Sequence, residues 1–317
     1  MRFCLMIEGQ EGVTWEQWLS LALACEEHGF EALFTSDHYY SVMGARDRGS
    51  SDAWAVLAAL AARTERVRLG TLVSPVTFRH PTVLAKAATT VDHVSRGRAE
   101  VGLGAGWWTE EHETHGFPFP PVGERIEMLA EQLEIVHGLF KEPVFTFQGS
   151  HYTLRECPFA PKPVQHPHLP VIVGGKGGPR IARLAARWAD EYNTYFVGSD
   201  EARERFARVR EAVEAEGRDQ SAFTTSLMIG VVVGADRGEL LHRVQRLAEI
   251  DGADASPEAH LADLQAQGWV AGTPEQALER LHAFEEAGVQ RIMLQDLLVE
   301  DLEMLALLGS EVFPQAG

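Results

Sequence analysis

"VGLGAGWW", residues Val101–Trp108, sets three glycines two apart behind an apolar run, and the fold turns on what those glycines are for. A dinucleotide-binding open sheet needs Gly-x-Gly-x-x-Gly running straight into a helix, because the pyrophosphate rests on the helix's positive amino end. Here the spacing is Gly-x-Gly-x-Gly at Gly102, Gly104 and Gly106, and Trp107, Trp108, Gly116, Pro118, Pro120 and Pro121 predict a non-helical chain until about Gly123. A Rossmann site does not fit. Two readings remain: a strand end whose missing side chains let a flat ligand or another backbone come close, or a plain turn.

Outward from this stretch, short near-continuous apolar runs alternate with amphipathic ones. They fall at Phe3–Ile7, Ala32–Thr35, Val67–Val73, Ala99–Leu103, Val171–Val173, Tyr192–Phe196, Ser226–Val233 and Arg291–Leu294, the pattern of strands covered on both faces. The intervening helices have legible ends. Thr14 to Gln17 forms a capping box, Gly29 closes the helix it opens, Pro81 and Pro179 suit first-turn positions, and Thr273–Gln276 combines a cap, a proline and a box. Eight strands with helical crossovers predict an α/β fold, a (β/α)8 TIM barrel, with an eight-stranded doubly wound sheet as the other arrangement. No composition break divides the chain, so residues 1–317 read as one domain. The Pro- and His-rich segment at about 142–170 reads as an insertion between strands 4 and 5 carrying a small hairpin.

Bulk composition excludes several roles. A net charge of −18 opposes general attraction to nucleic acid or to an anionic membrane, so a polyanionic ligand needs a local basic pocket, for which Arg46, Arg48, Arg79 and Lys176 are candidates. The apolar stretch Ala53–Ala62 is too short to span a bilayer, and the amino terminus lacks a basic region before its first strand, so the reading is cytoplasmic. Cys4, Cys25 and Cys157 stand far apart, as reduced thiols do.

Three further stretches carry candidate chemistry. "TSDHYY" places Asp37 and His38 just after the second strand, on the catalytic rim of a barrel, where an imidazole can exchange a proton; a histidine satisfied by Asp37 and backbone is the structural alternative. "VGGKGGPR", Val173–Arg180, leaves backbone N–H groups open ahead of a helix starting at Pro179, with Lys176 and Arg180 adding charge, which suits a phosphate. "HETH", His112–His115, has i, i+3 spacing in what reads as a loop, unlike the i, i+4 pair that binds zinc, so no metal is expected there.

"FTSDH", the run from "RLGTLVSPVTFRHP" through "GRAEVGLGAGWWTEEHETHGFPFP", "PVIVGGKGG" and "GTPEQALERLHAFEEAGV" together resemble the luciferase-like flavin and deazaflavin enzymes, from about Phe3 to beyond Leu294. The "GRAEVGLGAGW" segment with its "EEH" and "GFPFP" loop is most similar to the branch dependent on coenzyme F420. The resemblance implies a barrel, usually dimeric, with a tricyclic ring at the strand carboxyl ends and hydride transfer to or from an organic substrate. It implies a non-prolyl cis peptide at Leu72-Val73 with Ser74 close by, a ring lined by Gly104, Ala105, Gly106 and Trp107, and a phosphate end held by Gly174, Gly175, Lys176, Gly177 and Gly178. His38 is then the proton-handling residue, with Asp37 near the ring. The sugar-phosphate dehydrogenases of the superfamily carry a catalytic Glu right after the glycines, where this chain has Trp107; Glu110, or its neighbour Glu111, is the candidate replacement. Trp107, Trp108, Phe117 and Phe119 read as an apolar mouth suited to a flat substrate, or as packing for the insertion. Two other functions stay open: an FMN-dependent monooxygenase of the same fold, and a non-catalytic flavin-binding relative.

Overall fold

Strand side chains alternate faces, so each of the short apolar runs can bury one set of side chains in a barrel and the other against helices. The structure, a computed structural model, describes residues 1–43 and 47–316. Among these, eight strands form the barrel: β1 Arg2–Ile7, β2 Ala32–Thr35, β3 Arg68–Thr71, β4 Ala99–Gly104, β5 Val171–Gly174, β6 Glu191–Tyr195, β7 Thr224–Val233 and β8 Arg291–Asp296. All adjacent pairs are parallel, and β8 returns to β1 in the register Arg2 opposite Arg291 through Ile7 opposite Asp296. The sheet is closed. β7 overshoots the barrel, and its last three residues pair with a further strand, Val270–Gly272, which the sequence pattern did not predict.

The helix ends form as the sequence predicts. Gln17 N–H donates to Thr14 Oγ1 at 3.3 Å while Thr14 N–H donates to Gln17 Oε1 at 2.8 Å, and Gly29 takes the left-handed conformation with φ 81°. One expectation fails. Thr109–His115 is helical, and the next helix spans Val122–Lys141. The first of these has no side-chain cap at Trp108; it is held from inside by His112 Nδ1, which donates to Trp108 O at 2.7 Å, and by a left-handed Gly116. Those are tertiary and terminal features with no signature in the apolar periodicity. The 142–170 segment contains an antiparallel hairpin, Val144–Gln148 with Thr153–Pro158. Its Phe145 ring lies where a side chain at Gly138 would stand.

The floor of the barrel is polar. Arg291, 2% exposed at the start of β8, donates to Glu100 on β4 at 2.7 and 2.9 Å, to Glu191 on β6 at 3.0 Å and to Glu31 at 3.0 Å; Arg68 on β3 donates to Glu100 as well. Burial alone would raise the Glu100 carboxyl, but the Arg291 and Arg68 guanidiniums hold it down at about 2. Burial wins at Glu191, which is pushed up. No helix of the described residues is long and apolar enough to cross a membrane.

Candidate active site

Alternation along the strands turns Met6, Leu72, Ile172 and Met228 inward, where they pack with Cys4, Ala32, Phe34 and Met293, and with the partly buried Val73 and Tyr195. The Leu72–Val73 peptide is cis, at the position the resemblance implies. Val73 explains the glycines. A Cβ at Gly104 would stand 2.6 Å from Val73 Cγ2 and one at Gly174 would stand 2.9 Å from Val73 Cγ1, while one at Gly102 would run into the Thr71 carbonyl oxygen. The missing side chains on β4 and β5 therefore make room for Val73, which stays partly buried, and for the backbone at the end of β3. We expect Gly104→Ala to cost about 1–3 kcal/mol by overpacking and Gly104→Ala with Val73→Ala to recover most of it in urea denaturation. Gly102→Ala meets backbone, so the same Val73→Ala change leaves its loss in place.

His38 stands beyond the end of β2. Its Nδ1 is 2.9 Å from Glu111 Oε2, and the other oxygen of Glu111 accepts the Tyr39 N–H at 2.5 Å. Glu111 is fully buried and comes from the unexpected helix Thr109–His115. Glu110, the acid proposed from the sequence, lies exposed on the same helix, one residue and therefore about 100° round from Glu111. Burial would drain charge from His38, but the hydrogen bond and charge of Glu111, with help from Glu8 and Asp37, raise its pKa above the usual histidine value. With Nδ1–H given to Glu111, Nε2 is the nitrogen left to accept or deliver a proton.

Asp37 has a different partner. It accepts from Arg79 Nη1 at 2.5 Å and from Ser74 Oγ at 2.6 Å, and Arg79 continues to Asp52 at 2.6 Å. Trp54 Nε1 donates to Ser74 Oγ at 3.1 Å. Asp37, 3% exposed, therefore anchors Ser74 beside the Leu72–Val73 peptide. Arg79 is neutralised there, and Arg48 pairs with Glu11 at 2.5 Å, so neither belongs to a free basic pocket; Arg46 lies outside the described residues.

Lys176 is exposed in the loop Gly174–Gly178 and has no polar partner among the described residues. The loop is braced from below: Tyr192 Oη donates to Gly175 O and Arg208 Nη1 to Gly177 O, both at 2.8 Å. The Gly175 N–H is taken by Asn193 O at 3.0 Å, but no side chain caps the helix Pro179–Trp188, so the amide hydrogens of Lys176, Gly177 and Gly178 are the ones left at its positive end. Arg180 points elsewhere, donating to Gly123 O at 3.2 Å.

Of the four mouth aromatics, two are packing residues. Phe117 lies 4.8 Å from Tyr39 and 5.0 Å from Phe78, and Phe119 is 4.1 Å from His112 with the Arg125 guanidinium 3.7 Å over its ring. Arg125 also donates to Ala105 O at 3.0 Å. Trp107, 62% exposed, stacks on Trp108 at 5.8 Å and meets His38 edge-on at 5.9 Å. Gly106 turns the chain just before Trp107 with φ 76°. Residues missed by the sequence reading are Tyr195, which counting in twos from Glu191 would have placed inside, and Glu8, whose carboxylate holds Gln10 Nε2 at 2.8 Å and Gln295 Nε2 at 2.5 Å and whose charge helps raise His38.

Comparison with known proteins places this architecture. The chain is 35% identical over 188 residues to an uncharacterised protein of Mycobacterium tuberculosis, a match that covers 55% of this chain and 65% of that protein. It is 29% identical over 318 residues to the F420-dependent glucose-6-phosphate dehydrogenase of Nakamurella multipartita, covering 93% and 91% of the two chains. Among solved structures, monooxygenase RslO1 from Streptomyces bottropensis superposes over all of both chains with a TM-score of 0.86 at 22% identity. The luciferase-like monooxygenase family matches residues 1–291, nine-tenths of the sequence and every strand of the barrel through the start of β8. This chain belongs to the luciferase-like monooxygenase family.

Proposed function

We propose that the protein is an oxidoreductase that transfers a hydride between the deazaflavin F420 and a flat or apolar organic substrate, with His38 as the proton-handling catalytic residue. The observation that carries this reading is the His38–Glu111 pair at the end of β2, with the loop of the exposed Lys176 at the end of β5 on the same rim. The residues fit such a group: Val73 is a partly buried apolar side chain beside the glycines, and the Lys176, Gly177 and Gly178 amides with the Lys176 ammonium suit its phosphate-bearing arm. When bound, the deazaflavin supplies the carbon that gives or takes the hydride. Glu111 fixes the His38 tautomer and leaves Nε2 for the proton, Asp37 with Arg79 holds Ser74, and Trp107 and Trp108 lie edge-on to the imidazole. Similarity to an F420-dependent dehydrogenase supports the cofactor. Because Trp107 follows the glycines, glucose 6-phosphate is not carried over as substrate.

An FMN-dependent monooxygenase is the second reading, favoured by the family's description and the fit to RslO1. Titrating the purified protein with F420 and FMN, followed by absorbance and fluorescence, separates them. F420 is expected to bind at least about tenfold more tightly, and Lys176→Ala to lose about tenfold for F420 as a charge-assisted contact is removed. Tighter FMN would favour the second reading; binding of neither ring would remove both. Binding without turnover would leave the non-catalytic relative.

We also read the protein as a homodimer. The helix Ala53–Ala61, "AWAVLAALA", is apolar all round, a character suited to burial on every side, yet Ala55 and Ala59 face solvent. With the helix Pro81–Ser95 it borders an apolar groove of about 610 Å3 that includes Ala58, Ala87 and the 58%-exposed Val83. Ala55→Arg is expected to convert a dimer to monomer in light scattering; a wild-type monomer would refute the assignment.

A further inference from the structure

Where β1 and β8 end, Ile7 stands opposite Asp296, so Glu8 and Asp296 leave the barrel side by side. They wall a cavity of about 190 Å3 that also meets Ile250, at the end of the helix Arg237–Asp251, and Val299. The charges around it do not balance. Arg48 lines the cavity but is paired with Glu11 at 2.5 Å. Glu8 accepts only from the neutral amides of Gln10 and Gln295, and no cation pairs with it among the described residues. Asp296 is 1% exposed; its Oδ1 accepts the Leu298 N–H at 2.8 Å, and its Oδ2 has no hydrogen-bond partner. Arg243 and Arg246, whose charges reach Asp296, are themselves held by Asp301 at 2.9 and 3.0 Å, and Asp251 faces His260 at 3.5 Å.

A buried acceptor without a donor, next to an acid without a cation, is costly unless something supplies both an N–H group and positive charge. We propose that this cavity takes the ammonium end of an amine-bearing organic substrate, Asp296 and Glu8 sharing its charge while Ile250 and Val299 cover its alkyl part. The volume corresponds to about six waters at ~30 Å3 each, room for a small alkylammonium group. Burial, reinforced by Asp301, pushes the Asp296 carboxyl up to about 7. Binding therefore tightens as pH rises from 6 to 8, because the ammonium selects the ionised acid and releases its proton. Glu8 also belongs to the charges that raise His38, so a cation beside Glu8 lowers the His38 pKa. The assignment as a substrate site rests on the reading of His38 given above; the binding itself does not, and it is measured without turnover.

The test is calorimetric titration of the whole, cofactor-free protein with propylammonium and with 1-propanol, its neutral counterpart, at pH 6 and pH 8, alongside NMR titration of His38. Saturable propylammonium binding, tighter at pH 8, weakened at least about tenfold by either Asp296→Asn or Glu8→Gln, and accompanied by a downward shift of the His38 titration, is the expected result. Equal binding of 1-propanol, no saturable binding of propylammonium to the unaltered protein, or full binding in the folded Glu8→Gln variant would overturn the cation site. Binding that leaves His38 unmoved would overturn its assignment to the substrate.

Discussion

Replacing Arg291 with methionine is expected to remove about 3–5 kcal/mol of stability, because it leaves Glu100 and Glu191 buried in the barrel floor with their shared counter-ion gone. Both carboxylates are under 6% exposed, and Arg291 touches each of them within 3.0 Å. The pH dependence identifies the cause. In the unaltered protein Glu100 sits near 2, below its ordinary value of 4.5, so its contribution is present above about pH 4.5 and is lost as pH falls toward 2. Glu191 is already raised in the unaltered protein; without Arg291 it moves higher while Glu100 keeps only Arg68, so the altered protein gains more stability than the original as pH is lowered from 7 to 5. Guanidinium denaturation of both proteins across that window checks it; parallel pH curves would show that Arg291 contributes packing alone. Triple replacement of Arg291, Glu100 and Glu191 by apolar residues of similar volume should recover much of the loss.

Loss of the His38 imidazole is expected to carry the largest effect on activity. His38→Ala is expected to lower kcat by about 10²–10⁴-fold, the usual contribution of a positioned acid or base, with cofactor binding within about threefold of the original. Glu111→Gln separates proton handling from architecture. Glu111 offsets the burial that otherwise pulls His38 below the ordinary histidine pKa; without its charge burial dominates, and the limb of the pH–rate profile belonging to His38 moves to lower pH. Glu110→Gln, on the exposed face of the same helix, should leave that limb in place. A His38→Ala protein with undiminished turnover would end the assigned role.

The strands were legible because each is a short apolar run, and the helix ends because caps, first-turn prolines and a closing glycine act locally: Thr14, Pro81 and Gly29 do their work within a turn of where they stand in sequence. His38 and the Gly174–Gly178 loop were legible for the same reason, since a strand end places its next residues on the barrel rim. Glu111 was not distinguished from Glu110. Its selection depends on the rotation of a seven-residue helix whose existence rests on His112 bonding back to Trp108 and outward to Thr77 at 2.6 Å.

The glycines of "VGLGAGWW" divide the two kinds of information most sharply. Their spacing by itself excluded a helix-borne pyrophosphate site and marked a strand end, because backbone freedom and helix geometry are local properties. Only the closed barrel showed that Val73 fills the space beside Gly104 and Gly174 and the Thr71 carbonyl that beside Gly102, that Asp37 answers to Arg79 and that Arg291 gathers Glu31, Glu100 and Glu191. Those pairings join residues up to 260 positions apart in the chain. They exist because strands brought into register around one axis must fill a common interior and offset the charges buried in its floor.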